Sequence, residues 1–158
     1  MPALLDGIAA LKATLETAAG LSAVRVLDRP VEEGDEVSAP DGANAVVFVD
    51  ADASVTREIP YMKAGVIDIH EEWTLTVVTQ VWSETGSQLD VDTLATALQA
   101  AAMGALHASP DMGGNADYSL FWAGYTGAGR VHRGRLPNGQ GHGCRFEDEV
   151  TFTCRTTV

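Results

Sequence analysis

The sequence predicts an α+β domain in which a mostly antiparallel β-sheet carries two helices packed on one face. Three observations lead to this fold class: long segments alternate apolar and polar residues, two segments have helical periodicity, and most connections are short. Strand segments outnumber helical ones, and each helix has an apolar face that a sheet can cover. A chain of 158 residues is long enough for one core, so we predict a single domain over 1–158.

The chain begins with a predicted amphipathic helix over residues 3–19. Leu4, Ile8 and Leu11 recur every three or four positions, and Gly20 is expected to end the helix. The segment has no basic leader, so we do not expect a secretion signal. Its polar face lacks the cations of a membrane-surface helix, and no apolar run is long enough for a membrane span.

The next part of the chain alternates between apolar strand segments and polar connections. Residues 24–27 form a short predicted strand, and the continuously apolar segment 45–49 is predicted to be a central strand covered on both faces. The acidic segment at about 30–44 contains proline and glycine and is predicted to be an exposed loop. The polar segment 50–61 is predicted to be a second connection, which leads to a long strand over 66–82.

The segment 66–82, VIDIHEEWTLTVVTQVW, has one apolar and one polar face, and the sheet is predicted to form around it. At about 3.3 Å per residue it is longer than a domain of this size needs. We therefore expect it to bend near His70 or to leave the body of the domain as part of a hairpin arm. In the second case Ile67 and Ile69 are candidate subunit-interface residues.

The clearest helix is predicted to begin near Asp90 and to end before Pro110. Asp90 is the expected N-cap, and Leu89 and Leu94 are spaced as a hydrophobic staple. Alanine is frequent in this segment, which allows a close approach to a sheet or to the first helix. The predicted buried stripe comprises Val91, Leu94, Leu98, Ala101, Ala105 and Leu106.

The C-terminal part is predicted to contain two strands, at 117–126 and 144–156, separated by a glycine- and arginine-rich loop at about 127–143. The final strand alternates, and Cys144 and Cys154 lie on its apolar face. On one strand the two cysteines are about 33 Å apart, far beyond the roughly 7 Å between Cα atoms that a disulfide allows. Two free and mostly buried thiols are therefore expected.

Catalytic and metal-binding patterns are weak throughout the sequence. There is no CxxC pair, no HxxxH helix and no GxSxG pattern, and the glycine-rich segments precede a strand instead of the helix that a phosphate-binding loop requires. Asp90 and Asp92 are explained by the helix start, and Glu71 and Glu72 point to opposite faces of a strand. We therefore predict no catalytic, cofactor-binding or metal-binding residues, no cofactor and no enzymatic activity.

The net charge of −12 argues against a protein that binds nucleic acid through its phosphates. Arg130, Arg133 and Arg135, together with Arg145, nevertheless form a basic segment without acids, whereas nine of the 22 acids lie within 28–58. Three interpretations remain open: a solvated loop, a nucleic-acid site, and a docking element for an acidic surface, most simply that of a second copy. Under the third interpretation, Arg130, Arg133 and Arg135 are candidate subunit-interface residues.

Several local sequence patterns follow one another in a fixed order along the chain. After the initial helix come the VRVL strand at 24–27, the EWTLTV and VWS patterns within 66–83, the LDVD start of the helix at 89–106, and the alternating EDEVTFT at 147–153. This order resembles the tail terminator proteins of long-tailed bacteriophages, the group that includes the lambda tail terminator, and related tail-completion and neck proteins.

The resemblance implies a homohexameric ring that caps the tail tube, stops its polymerisation and joins it to the head-side neck. Its partners would be the tail tube protein and a neck protein, and DNA would pass through the channel without specific binding. The implied location is the head-proximal end of the virion tail, after assembly in the host cytoplasm, without a membrane or a cofactor. A head–tail connector, neck or tail tube protein of the same virion remains an alternative, as does a small α+β enzyme or ligand-binding domain with a discrete pocket.

Overall fold

The computed structural model describes residues 2–37, 42–63, 65–110, 112, 120–137 and 139–157. In chain order the elements are helix α1 (Pro2–Glu16), a 3₁₀ turn (Ala19–Leu21), strands β1 (Arg25–Leu27), β2 (Asn44–Lys63) and β3 (Val66–Ser83), helix α2 (Gln88–Ala108), and strands β4 (Leu120–Arg135) and β5 (His142–Thr157). Two long hairpins, β2–β3 and β4–β5, therefore provide most of the sheet.

The five strands form one sheet in the order β1-β2-β3-β5-β4. β1 runs parallel to β2, and every other neighbouring pair is antiparallel. The register places Trp73 of β3 between Val55 of β2 and Phe152 of β5. Both helices pack against one face of this sheet in a single core, which confirms the predicted α+β class.

The main core lies between the helices and this face, which we call the helix face. Its largest fully buried side chains include Leu11, Leu15, Leu21, Leu75, Leu106 and Phe152. Gly7 of α1 lies directly against the ring of Phe152, and a β-carbon at Gly7 would overlap that ring. Gly20 lies in the 3₁₀ turn, where a β-carbon would come within 2.7 Å of Cβ of Ala101. These two glycines let the N-terminal segment approach the sheet and α2 closely.

The opposite face, which we call the open face, carries a second and smaller apolar cluster. Val46 and Phe48 of β2 and Val78 of β3 are buried there, and Val31 and Val37 from the segment after β1 pack against them. The prediction that this part of β2 is a central strand covered on both faces is therefore confirmed.

Residues 28–37, which we call the acidic strap, belong to no helix or strand, as expected for a loop at about 30–44, but the strap is only partly exposed. Arg29 closes the strap, because its Nη1 and Nη2 atoms donate to the two carboxylate oxygens of Asp35 at 2.9 and 3.0 Å. Apolar residues of the strap face the sheet while most of its acids face solvent. The segment is therefore a loop that covers part of the open face. Residues 38–41 lie outside the described part of the chain.

Two segments that were predicted as connections are strands. Residues 50–61 belong to β2, and residues 127–135 belong to β4, so the predicted loop at 127–143 is wrong over its first half. Most of these residues are exposed on both faces, so burial imposes no apolar alternation on them. A bulge between Val49 and Ala53 and a similar irregularity in β4 also shift the alternation.

Helix α2 begins earlier than predicted. Ser87 is the N-cap: its side chain accepts from the backbone N–H of Asp90, whose carboxylate accepts from the backbone N–H of Ser87, so the pair forms a capping box. Asp90 is therefore not the N-cap, and Leu89 is 74% exposed, so it makes no staple with Leu94. The fully buried stripe comprises Val91, Ala95, Leu98, Ala102 and Leu106.

Candidate assembly surfaces

The three arginines predicted as a docking element do not share a surface. Arg133 lies opposite Cys144 on the helix face of the sheet, and Arg135 follows it on that face. Arg130 lies opposite Glu147 on the open face. All three arginines are exposed, but alternation along the strand divides them between the two sides of the sheet.

Arg133 contacts the start of α2 within the same chain. Its Nη2 and Nε atoms donate to Oδ2 of Asp92 at 2.6 and 3.0 Å. This hydrogen bond is the main reason why the pKa of Asp92 is lowered, and a hydrogen bond from Gln88 adds to the effect. Gln88 also donates to the carbonyl of Gly143 at 3.0 Å. The first turn of α2 is therefore tied to the β4–β5 hairpin.

Arg145, the fourth basic residue of the predicted cluster, is held on the open face. Its Nε donates to Glu147 at 2.8 Å, and its Nη1 donates to Gln80 at 3.3 Å. The guanidinium lies 5.6 Å from the centre of the Phe48 ring, within the range of a cation–π contact. Arg145 therefore borders the smaller apolar cluster and links three strands.

The predicted arm is the outer end of the β2–β3 hairpin. β3 pairs with β2 as far as Val66, whereas β5 accompanies β3 only as far as Asp68. Ile69 is half-buried, and Ile59 on β2 is 60% exposed. The side chain of Ile67 lies outside the described residues. Whether Ile67 and Ile69 contact another subunit therefore stays a prediction.

Away from the smaller apolar cluster, the open face is polar. Threonine and glutamate occupy the positions of β3 and β5 that alternate with the buried core residues. The side chains involved are Glu72, Thr74, Thr76, Glu147, Glu149, Thr151 and Thr153. His132 Nε2 lies 3.8 Å from Glu147, which also binds Arg145. Among the described open-face side chains of β3 and β5, glutamates therefore outnumber arginines.

Two of the surface cavities lined by described residues have volumes well within the range of small-ligand pockets. One, of about 420 Å³, lies over the outer part of the sheet and is lined by Thr56, Glu58, His70, Glu71, Glu72, Thr153 and Cys154. The other, of about 600 Å³, lies between α2 and β4 and is lined by Met103, Gly104, Leu106, His107, Pro110, Ala123, Gly124 and Tyr125.

Several titratable groups are buried or half-buried on the helix face. Burial raises the pKa of Asp148, and hydrogen bonds from Gln99 Nε2 to both carboxylate oxygens, at 3.1 and 3.0 Å, oppose that rise. Burial also raises the pKa of Tyr125, and the negative charge of Asp148 raises it further. Cys144 and Cys154 are free and buried, as predicted, and burial raises the pKa of each thiol to about 11.

The histidines and cysteines of the β4–β5 hairpin do not converge on one point. His142 Nδ1 lies 3.0 Å from the carbonyl of Gly86, His132 faces Glu147 on the open face, and the two cysteines point into the core. Within the described residues, no group of three or more His, Cys, Asp or Glu side chains is placed to hold a metal ion. In the same ranges, no helix is long and apolar enough to cross a membrane.

The contact between Arg133 and Asp92 was missed by sequence reasoning, which assigned one residue to a loop and the other to a helix start. The two residues are 41 positions apart, and no local pattern links them. The strand character of β4 had a weak signal, because Val131 stands between polar neighbours.

No family model matches the chain, and no curated protein sequence matches it. Among solved structures, the chain is similar to a chain of one described as "Virion of native gene transfer agent (GTA) particle". The match covers 94% of each chain, with 12% sequence identity and a TM-score of 0.45. A likeness at this level carries no argument about function, so the proposal that follows rests on the sequence resemblance and on the surfaces described above.

Proposed function

We propose that this chain is a structural protein of a phage-like virion, and that it acts as a tail terminator. In this role, copies of the chain form a ring, of six by the resemblance, that caps the tail tube and joins it to the head-side neck. The tail tube protein and a neck protein are the proposed partners, and DNA passes through the ring without specific binding. The role involves no catalysis and no cofactor.

The observation that best supports a ring subunit is the β2–β3 hairpin. Residues 56–59 of β2 are exposed and lie farther along the hairpin than Val55, which packs against the main core beside Trp73. An uncovered strand extension exposes backbone polar groups and adds little core to a monomer. In a closed ring such an extension can reach a neighbouring copy through a heterologous contact.

The charge of the open face fits a channel for DNA. Glu72, Glu147 and Glu149 lie there among threonines, against Arg130 and Arg145, of which Arg145 is bound to Glu147. A surface with excess carboxylates repels phosphates and keeps a passing duplex from adhering. The net charge of −12 has the same effect over the whole molecule.

The role can be tested by removing the chain from a cell that produces the particle. Without a terminator, tube polymerisation continues, so electron microscopy is expected to show tails of uncontrolled length, and supplying the chain again restores normal length. Headless tails of normal length would instead indicate a neck or connector protein, and absence of tails would indicate a tube protein. Normal infectious particles would contradict a virion role.

The copy number is tested separately by measuring mass in solution. A closed ring of about six copies is expected by light scattering or native mass spectrometry. A small enzyme or binding domain, by contrast, requires no ring, and a monomer that binds a small molecule in one of the two cavities would favour that alternative.

A further inference from the structure

The sheet has two outer edges, each of which leaves a long segment of backbone unpaired on one side. β1 covers the outer side of β2 only from Val46 to Phe48. Over Val49–Thr56, which we call the β2 edge, no strand of the described chain pairs with this side. At the other end of the sheet, Thr126–Arg135, which we call the β4 edge, has β5 as its one neighbour among the described strands.

The two edges are partly offset along the strand direction. When the pairing register is followed from strand to strand across the sheet, Ala123 of β4 lies level with Val55 of β2, and Gly129 of β4 lies level with Val49 of β2. The backbone N–H of Ala123 donates to the carbonyl of Pro110 at 2.7 Å, so the chain after α2 contacts β4 just before the β4 edge begins. Joining the edges of two copies therefore requires a stagger between them. Closing a sheet into a barrel imposes such a stagger.

The two edges also carry opposite charge. The β4 edge contains three arginines and a histidine and no acid, whereas the β2 edge contains Asp50 and Asp52 and no base. Arg133 is bound to Asp92, but Arg130 and Arg135 are exposed. Two like edges would repel each other, and two unlike edges attract, so the charges favour a heterologous contact over a symmetric dimer.

Strand direction permits the same contact. β2 and β5 run one way, and β3 and β4 run the other way. Placing the β4 edge of one copy beside the β2 edge of the next therefore continues the antiparallel alternation without interruption. Each copy uses one edge of each kind, which is the condition for a ring built from a single contact.

We propose that copies of this chain join through main-chain hydrogen bonds between the β4 edge of one copy and the β2 edge of the next. The four long strands of each copy then continue in one antiparallel sheet around the ring. The occupant of each edge is a second copy of the same chain. This inference deepens the proposed function and rests on it for closure of the ring, whereas the contact between edges is open to a test of its own.

Charges and bulges on edge strands also protect monomeric proteins against unwanted pairing. Both edges here have these features, since β2 has a bulge after Val49 and β4 has one after Tyr125. Protection against unwanted pairing, however, would be achieved equally well if both edges carried charges of the same sign. Segregation of acids to one edge and bases to the other is what a contact between different edges requires.

Cysteine pairs at exposed positions of the two edges test the contact. His132→Cys on the β4 edge is combined in turn with Asp52→Cys, Ser54→Cys or Thr56→Cys on the β2 edge. These three positions sample successive registers about 7 Å apart, and all four residues are exposed, so the variants are expected to fold. The matched control combines His132→Cys with Ala53→Cys, because Ala53 lies opposite Leu75 and therefore on the helix face.

Under mild oxidation, at least one pair is expected to give a ladder of disulfide-linked multimers on non-reducing gels. The single-cysteine variants and the Ala53→Cys control are expected to stay unlinked, and the two native thiols are buried. A ring of about six copies without any cross-link overturns the edge contact and leaves the proposed ring intact. Monomers without a cross-link at every concentration overturn both. Linked dimers from a single-cysteine variant show that like edges meet, and they overturn the heterologous contact.

Discussion

Nη2 of Arg133 lies 2.6 Å from Oδ2 of Asp92, and this ion pair joins β4 to the first turn of α2. Arg133, a predicted subunit-interface residue, thus also makes a contact within its own chain, and whether it contacts another subunit stays a prediction. The contact separates the roles of the three arginines, because Arg133 holds the β4–β5 hairpin against a helix while Arg130 and Arg135 remain exposed on opposite faces.

Replacing Arg133 by glutamate is expected to lower the free energy of unfolding measurably, because a repulsive pair replaces an attractive one. The matched control is Arg135→Glu, which makes the same charge change on the same face and is expected to stay within about 0.5 kcal/mol of the wild type. Urea denaturation of the three proteins measures the difference. Equal stabilities for the two variants would show that the contact with Asp92 contributes nothing.

Replacing both Arg130 and Arg135 by glutamate is expected to weaken self-association without weakening the fold. The β4 edge loses its attraction to an acidic surface, and the loss is expected to be greatest at low ionic strength, where screening is least. Light scattering over a salt series measures the assembly. Adding Asp50→Lys and Asp52→Lys is expected to restore it. An assembly that the arginine changes leave intact would contradict a role for this edge.

Gly7→Ala is expected to destabilise the protein by about 1–3 kcal/mol, because the added β-carbon overlaps the ring of Phe152 and the core must shift. Gly104→Ala is the matched control, since no atom lies within 4 Å of its added β-carbon. In a helix the control change is expected to stabilise by up to about 1 kcal/mol. Thermal or urea unfolding distinguishes the two, and a neutral Gly7→Ala variant would argue against this packing.

Asp92 and Asp148 are expected to give opposite pH dependences. The folded-state pKa of Asp92 is lowered, so its stabilising contribution is present above the ordinary carboxyl pKa and is lost as the pH falls through the folded-state pKa. The folded-state pKa of Asp148 is raised by burial, so its contribution is present below the ordinary pKa and is lost as the pH rises through the folded-state value.

Two conservative variants measure this difference. Relative to the wild type, Asp148→Asn is expected to gain stability as the pH rises above about 4, whereas Asp92→Asn is expected to lose stability as the pH rises towards about 4. Asparagine keeps an acceptor for Gln99, so the first variant removes charge and little else. Urea unfolding at a series of pH values gives both curves, and parallel curves would contradict the assignment.

The thiols of Cys144 and Cys154 are expected to react slowly in the native protein. Both are buried, and burial raises the pKa of each to about 11, so the thiolate is scarce near neutral pH. Alkylation with iodoacetamide, followed by mass spectrometry, is expected to modify both only after unfolding. Rapid modification of the folded protein would show that β5 opens readily.

Sequence patterns predicted the elements that are packed against a core. The apolar stripe of α2, the strand at 45–49 and the alternation of β5 were all recognisable, because burial of one face imposes a period on the residues that form it. Segments 50–61 and 127–135 were missed for the same reason. Most of their described side chains are exposed on both faces of the sheet, and hydrogen bonding to a neighbouring strand leaves no period in the side chains.

The sequence by itself determined the α+β class, the apolar faces of both helices and the burial of the two cysteines. Only the tertiary structure decided that Arg133 binds Asp92, that the acidic strap covers Phe48, and that the β2 and β4 edges lie at opposite sides of one sheet. The physical reason is how far apart in the chain the interacting residues lie. Local periodicity records which side of an element is buried, whereas strand order and ion pairs join residues far apart in the chain and leave no local pattern.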